Sequence, residues 1–199
     1  MTNNTPTTSH DNAQDSSPMH ATRHSTGFFA RLARLVRHRL AEGSLSRVLP
    51  DDVSERLAQR VTASEQRHTG QIRICVEGGL PLSYIWRSAG ARERAVTQFG
   101  KLRVWDTEHN NGVLIYLLVA EHAIEIVADR GIARNVDPKV WHAVIARMRE
   151  QFREGHYEDG LTEAIANVSA ALVEQYPANP DALQRHANEL PDTPIVIRT

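Results

Sequence analysis

Asp106, Glu108, Asp129 and Asp137 are the residues whose types and order best suit chemistry in this sequence. Carboxylates are hard oxygen ligands, and three or four of them with nearby carbonyls suit Ca²⁺ or Mg²⁺. Zinc would call for cysteine or several histidines, and this neighbourhood offers only His109. Arg130, Arg134 and the start of the helix that Asp137 opens would instead favour an anion at the same place. The plain alternative is that these acids are helix caps and solvated loop groups. The elements that carry them decide whether they meet.

The apolar run from Val113 to Val119 is too short and too apolar for a one-sided strand, and predicts a strand covered on both faces. Ala120-Glu121-His122 turns the chain, and Ala123 to Ala128 returns as a second strand. In such a hairpin, residues entering the first strand lie beside residues leaving the second. Asp106, Glu108, His109 and Asn110 are therefore expected at one sheet end with Asp129, Arg130 and Asp137. The opposite pole carries Glu77, Gly78, Gly79, Glu121 and His122. It is the second candidate place, because ligands of open α/β sheets sit beyond the carboxyl ends of parallel strands.

Gln71 to Glu77 alternates, with Ile72, Ile74 and Val76 on one side and Arg73, Cys75 and Glu77 on the other, which predicts another strand. A helix follows the Pro50-Asp51-Asp52 start signal as far as His68, and another is expected from Ser83 to Phe99. Asp137-Pro138 opens a third, with Val140, Trp141, Val144, Ile145, Met148 and Phe152 as its buried stripe. A fourth runs from Tyr157 to Tyr176. Strand, helix, strand in that order requires parallel strands and a right-handed crossover. The expected fold is α/β, a small three-layer α/β/α sandwich with a mixed sheet, preceded by a disordered tail and an amphipathic helix.

The expected organisation is a disordered tail at 1–27, a basic amphipathic helix and linker at 28–47, the α/β domain at 48–176 and an extension at 177–199. Residues 195–197 would dock there as a short extended piece or stay loose. Polar residues dominate the tail and cannot form a signal-peptide core. In the helix, Phe28, Phe29, Leu32, Leu35, Val36 and Leu40 share one face, while Arg31, Arg34, Arg37 and His38 take the other. Docking on the domain, a protein partner and an anionic membrane surface are all open to it, and Phe28, Phe29, Arg31, Leu32, Arg34 and Leu35 are the expected contact residues. No apolar run is long enough to span a bilayer. The expected location is cytoplasmic, peripheral at a membrane if residues 28–41 engage one.

Twenty-three basic and 24 acidic residues leave a net charge of -1, so no global field points to nucleic acid. The single cysteine, Cys75, excludes an internal disulfide and lies in a strand, where a buried, inert thiol is expected. There is no G-x-S-x-G elbow, Walker A loop or H-E-x-x-H helix, and no organic cofactor is expected. Glu125 is expected to find a partner such as Arg73 across the sheet, and Trp105 to pack against the sheet.

The order of a helix, a Thr-Gly-Gln-Ile-Arg-Ile-Cys-Val strand, a Leu-Pro-Leu-Ser loop, an Asn-Gly-Val-Leu-Ile-Tyr-Leu strand and a Val-Glu-Ile-type strand ending in Gly-Ile, then Phe152, Gly155 and Gly160-Leu161, resembles the TPM domain. The likeness runs from about residue 48 to 176 and is nearest to bacterial members with Val104-Trp105-Asp106-Thr107-Glu108 ahead of Asn111-Gly112. Relatives include thylakoid-lumen proteins tied to photosystem repair and secreted or membrane-anchored bacterial proteins. Divalent-cation binding and weak acid phosphatase activity go with some of them, so the resemblance implies this fold and a metal site. Asp137 matches the aspartate that opens the helix after the hairpin. Two departures stand out: the export signal and glycine-rich or transmembrane tail of many relatives are missing, and Leu45-Ser46-Arg47-Val48 replaces their aspartate-rich opening.

Together these readings lead to a non-catalytic TPM-type binding or maintenance module, stabilised by a divalent cation and serving membrane-associated protein partners. The alternative is a divalent-metal-assisted phosphatase of low activity using Asp106, Asp129 and Asp137.

Overall fold

Two seven-residue strands, β1 (Gln71–Glu77) and β2 (Gly112–Leu118), are buried along their whole length. The computed structural model to which they belong describes residues 23–178 and 188–198. β1 and β2 pair in parallel from Gln71↔Gly112 to Glu77↔Leu118. β3 (Ala123–Ala128) returns antiparallel to β2, from Leu118↔Ala123 to Val113↔Ala128. A fourth strand, β4 (Ile195–Ile197), lies parallel to β1 on its other side, giving the order β3-β2-β1-β4. Of the two outcomes open to residues 195–197, docking is the one observed. Arg73 helps fix the segment that leads there, by donating to the carbonyls of Pro191 and Thr193.

Alternation along the strands sorts side chains into two cores. Ile72, Ile74, Val76, Val113, Ile115 and Leu117 face a layer formed by α3 (Asp51–Glu65), α7 (Pro138–Arg153) and α8 (Tyr157–Gln175). Cys75, Leu114, Tyr116 and Leu118 face α4 (Leu82–Trp86) and α5 (Ala91–Lys101). This is the expected three-layer sandwich with a mixed sheet. The helix expected over 83–99 is broken in two: Ser88 takes a left-handed turn at φ 58 and Gly90 caps α5. The α7 stripe is narrower than its spacing suggests, with Val144, Met148 and Phe152 buried but Val140 exposed. Trp105 is also exposed, donating its indole N–H to the Gly100 carbonyl at 3.3 Å, and Val104 fills the core in its place.

α1 (Arg23–Glu42) starts earlier than the helix expected at 28, and the four-residue α2 (Leu45–Val48) follows it. The remainder of the expected tail, residues 1–22, lies outside the described residues. α1 lies against the carboxyl end of β1. A Cβ at Gly79 would stand 2.6 Å from the His38 carbonyl oxygen, so only glycine admits the helix backbone this closely. The Leu80 N–H donates to His38 Nδ1 at 2.9 Å, which leaves the ring proton on Nε2, 3.1 Å from Glu121 Oε1. Arg34 joins the same carboxylate at 2.7 Å. The short 3₁₀ turn Val119–Glu121 carries Glu121, and His122 closes it at φ 47.

Candidate functional site

The loop before β2 and the residues after β3 do meet at one pole. The Asp129 N–H donates to the Gly112 carbonyl at 2.9 Å, and the Gly131 N–H donates to that of Asn110 at 3.0 Å. Arg130 reaches the Asn110 side-chain oxygen at 3.3 Å. A Cβ at Gly131 would lie 2.6 Å from both the Asn110 carbonyl oxygen and the Tyr176 hydroxyl, so glycine lets the two segments touch.

The carboxylates at this pole have separate duties. Asp129 caps α6 (Arg130–Ala133) by accepting from the Arg130 N–H at 2.7 Å, and Asp137 caps α7 by accepting from the Lys139 N–H at 2.9 Å. Asp106 is exposed, 3.9 Å from Arg103. The Glu108 backbone N–H donates to Glu189 at 3.0 Å. Among the described residues, no three His, Cys, Asp or Glu side chains gather as cation ligands. The start of α7 already holds the Asp137 carboxylate, which disfavours an external anion there. Arg130 is 70% exposed and 3.9 Å from Asp129, and exposed Arg134 caps the end of α6.

Two oxygen atoms at this pole are nonetheless buried without a hydrogen-bond partner, Asp129 Oδ2 and Asn111 Oδ1. Asn111 is fixed by its own amide, which donates to the Thr69 carbonyl at 2.9 Å. Both are hard donors of the kind a cation or an ordered water satisfies. They are only two side-chain oxygens, so a Ca²⁺ or Mg²⁺ ion would need carbonyls, water or a shift of Asp106 and Glu108 to complete its shell.

Elsewhere the buried ionisable groups are committed to the fold. Glu77, fully buried, accepts from Arg94 at 2.5, 2.9 and 3.0 Å and from the Tyr116 hydroxyl at 2.7 Å. The Cys75 thiol is pushed up to about 12, chiefly by burial and then by Glu77 beside it, as an inert thiol should be. Glu125 pairs with Arg92 of α5 at 3.6 Å, in place of the expected Arg73, and burial raises its carboxyl. Glu125 opens on a cleft of about 680 Å³ with Arg92, Trp141, His142 and Arg149, which sequence reasoning missed because its parts come from three elements.

The model of the TPM-domain family matches residues 45–171. The chain belongs to the TPM-domain family. Its TPM domain superposes on the NMR structure of the BA42 protein from the psychrophilic bacterium Bizionia argentinensis with a TM-score of 0.64 and 26% identity, covering 74% of this chain and 94% of that one. The N-terminal domain of a P. gingivalis protein shares the fold alone, with a TM-score of 0.54 and 17% identity over 68% of this chain and 85% of that one. No curated protein matches. α1 precedes the residues that the family model matches.

α1 is also where the structure departs most from the periodicity argument. Its polar edge docks, through Arg34 and His38, and among its described apolar residues Leu35 and Ala41 pack on the cores beneath. Phe29, Leu32, Val36 and Leu40 face outward at 65, 46, 50 and 71% exposure. Phe28 lies on the same helix, and Arg31 is exposed. Among the described residues, no helix is long and apolar enough to cross a membrane.

Proposed function

We propose that this TPM-family chain is a non-catalytic binding module that works against an anionic membrane surface, with the outward face of α1 as its contact. The observation that supports this is the inverted docking of α1: the face that ordinarily enters a core is left outside. Arg37 and Arg39, each 58% exposed, flank the apolar stripe, and the helix holds five arginines against one glutamate. A basic, flanked apolar stripe matches lipid headgroups over acyl chains better than it matches a neutral protein groove. The catalytic alternative has less to draw on, since Asp129 and Asp137 cap helices and Glu77 and Cys75 are sealed in the core.

The expected strength is modest. Four half-exposed apolar side chains contribute about 4 kcal/mol on burial, and two arginines near an anionic surface add about 1 kcal/mol each. The sum corresponds to a dissociation constant in the tens of micromolar, roughly. Co-sedimentation with phosphatidylcholine–phosphatidylglycerol vesicles tests this. The parent should bind, high salt should weaken binding, and Leu32→Asn with Leu40→Asn should abolish it. Binding that survives both substitutions would sink the membrane role.

A second reading rests on the orphaned oxygens of Asp129 and Asn111: a divalent cation held there, with Asp106, Glu108 and Asp137 drawn in, would polarise a phosphate ester and orient water. Calorimetric titration with Ca²⁺ and Mg²⁺ tests it, with Asp129→Asn and Asp137→Asn as the variant. Binding in the parent alone supports a hard-cation site and justifies an aryl-phosphate assay. Binding in neither leaves these acids as caps.

A further inference from the structure

A cavity of about 400 Å³ opens where the turn after α1 faces the turn between β2 and β3. It lies at the pole opposite Asp129 and is separate from the outward stripe of α1, although Arg37 borders both. Arg37, Ser44, Arg47, His122 and Tyr157 supply its polar lining, Val48 and Val119 part of its apolar wall, and no acidic side chain is among its lining residues. Val119 continues directly from β2, so the cavity occupies the carboxyl end of the parallel strands, where open α/β sheets take their ligands.

The cationic groups here keep unused donors. Arg37 reaches Glu121 only at 3.8 Å, and that carboxylate already takes Arg34 at 2.7 Å and His38 at 3.1 Å. Arg47 is exposed. His122 is held by Tyr157, whose hydroxyl lies 3.3 Å from Nδ1 and whose ring stacks at 6.4 Å and 16°. Nε2 of the imidazole is the nitrogen that this contact leaves available.

We propose that this cavity is a phosphomonoester site: Arg37, Arg47 and His122 hold the tetrahedral dianion, and the Val48–Val119 wall takes the organic remainder. Two guanidinium forks and an imidazole match three terminal oxygens and a double negative charge better than they match a single carboxylate. Arg37 lies outside the family-matched residues 45–171, so the site depends on the docking of α1 on the domain. The chemistry arrives either as a soluble phosphate ester or as the headgroup of phosphatidic acid. It does not depend on the membrane role of α1, because a soluble ester needs no bilayer.

The full chain is titrated with glycerol 3-phosphate by amide NMR, and separately floated with phosphatidylcholine vesicles carrying phosphatidic acid or phosphatidylglycerol. Shifts at Ser44, His122 and Gly155, weakened about tenfold or more by Arg47→Gln and partly restored by Arg47→Lys, are expected. If only phosphatidic acid vesicles respond, with the same Arg47 dependence and a preference over phosphatidylglycerol, the source is the lipid headgroup. Arg149→Gln, in the separate cleft beside Glu125, should leave the glycerol 3-phosphate affinity unchanged. The proposal is overturned if glycerol 3-phosphate fails to bind and the two vesicle types are bound alike, or if Arg47→Gln, with an unchanged unfolding midpoint, has no effect. Leu32→Asn with Leu40→Asn should leave the glycerol 3-phosphate titration intact, so a failed membrane reading and a failed phosphate site look different.

Discussion

Raising the pH from about 6.5 to about 8 should cost this fold about 1.3 kcal/mol, through one proton on Glu65. Glu65 sits half-buried at the end of α3, and one of its oxygens accepts from the Ile72 N–H at 2.8 Å. Burial pushes its carboxyl up to about 8 from an ordinary 4.5, and Asp192 adds to the shift against the opposing Ile72 bond. A carboxyl raised in the fold keeps a proton that the unfolded chain has released, so its stabilising effect is lost as pH climbs from 4.5 through 8. His68 works in the other direction, being lowered by burial from 6.5 to about 4 with its Nδ1–H donated to the Gly70 carbonyl at 3.0 Å. It weakens the fold as pH falls from 6.5 through 4, so between about 4.5 and 6.5 the two slopes cancel. Above 6.5 the unfolded His68 sheds its last half proton, which returns about 0.4 kcal/mol, while Glu65 loses about 1.4 kcal/mol per pH unit until it nears 8, leaving a net loss of about 1.3 kcal/mol.

Urea unfolding of the parent and of Glu65→Gln at the two pH values measures this. The amide oxygen of glutamine can keep the Ile72 bond and has no proton to release, so the variant should lose most of the pH dependence. A parent whose stability is the same at both values, or a variant that falls as steeply as the parent, would refute the reasoning.

Three further substitutions probe the framework. Glu77→Gln leaves the Arg94 guanidinium buried without its counter-charge and should cost about 3–5 kcal/mol, read as a lower urea midpoint at unchanged slope; a loss under about 1 kcal/mol would mean that the pair is not sealed from water. Gly131→Ala drives a methyl onto the Asn110 carbonyl and should destabilise by about 1–3 kcal/mol, whereas Gly100→Ala in α5 meets nothing within 4 Å and should stabilise by about 0.5–1 kcal/mol. The two thermal melts should therefore move in opposite directions.

Local patterns carried most of the fold. The unbroken run of β2 and the alternation of β1 each announce the faces that the two cores use, and Asp137-Pro138 marks a helix start that the structure keeps. Long-range pairings were out of reach of periodicity: Glu121 joins Arg34 and His38 across 87 and 83 positions, and those contacts turn α1 around. A helical wheel separates an apolar face from a polar one but does not say which face docks. For the carboxylates, topology placed Asp106, Glu108, Asp129 and Asp137 at the same pole, yet a shared sheet end is wider than a metal's coordination sphere. Two of the four were claimed by the nearest helix start. For the cavity of Arg37, Arg47 and His122, the carboxyl-end rule pointed to the pole that holds His122, but Arg37 and Arg47 carried no signal, because they join it only once α1 has docked.

The pairing of β4 with the outer side of β1 has a bearing on synthesis. β1 is buried on both faces, with Ile72, Ile74 and Val76 making one of them wholly apolar, and its outer N–H and C=O groups at Cys75 to Glu77 are covered by a strand that leaves the ribosome after everything else in the sheet. Until residues 188–198 arrive, a nascent chain presents a bare, unprotected hydrophobic edge of the kind that zips onto neighbouring chains. A message truncated ahead of codon 188 would therefore be expected to yield inclusion bodies, even though every residue of the family-matched region had been translated.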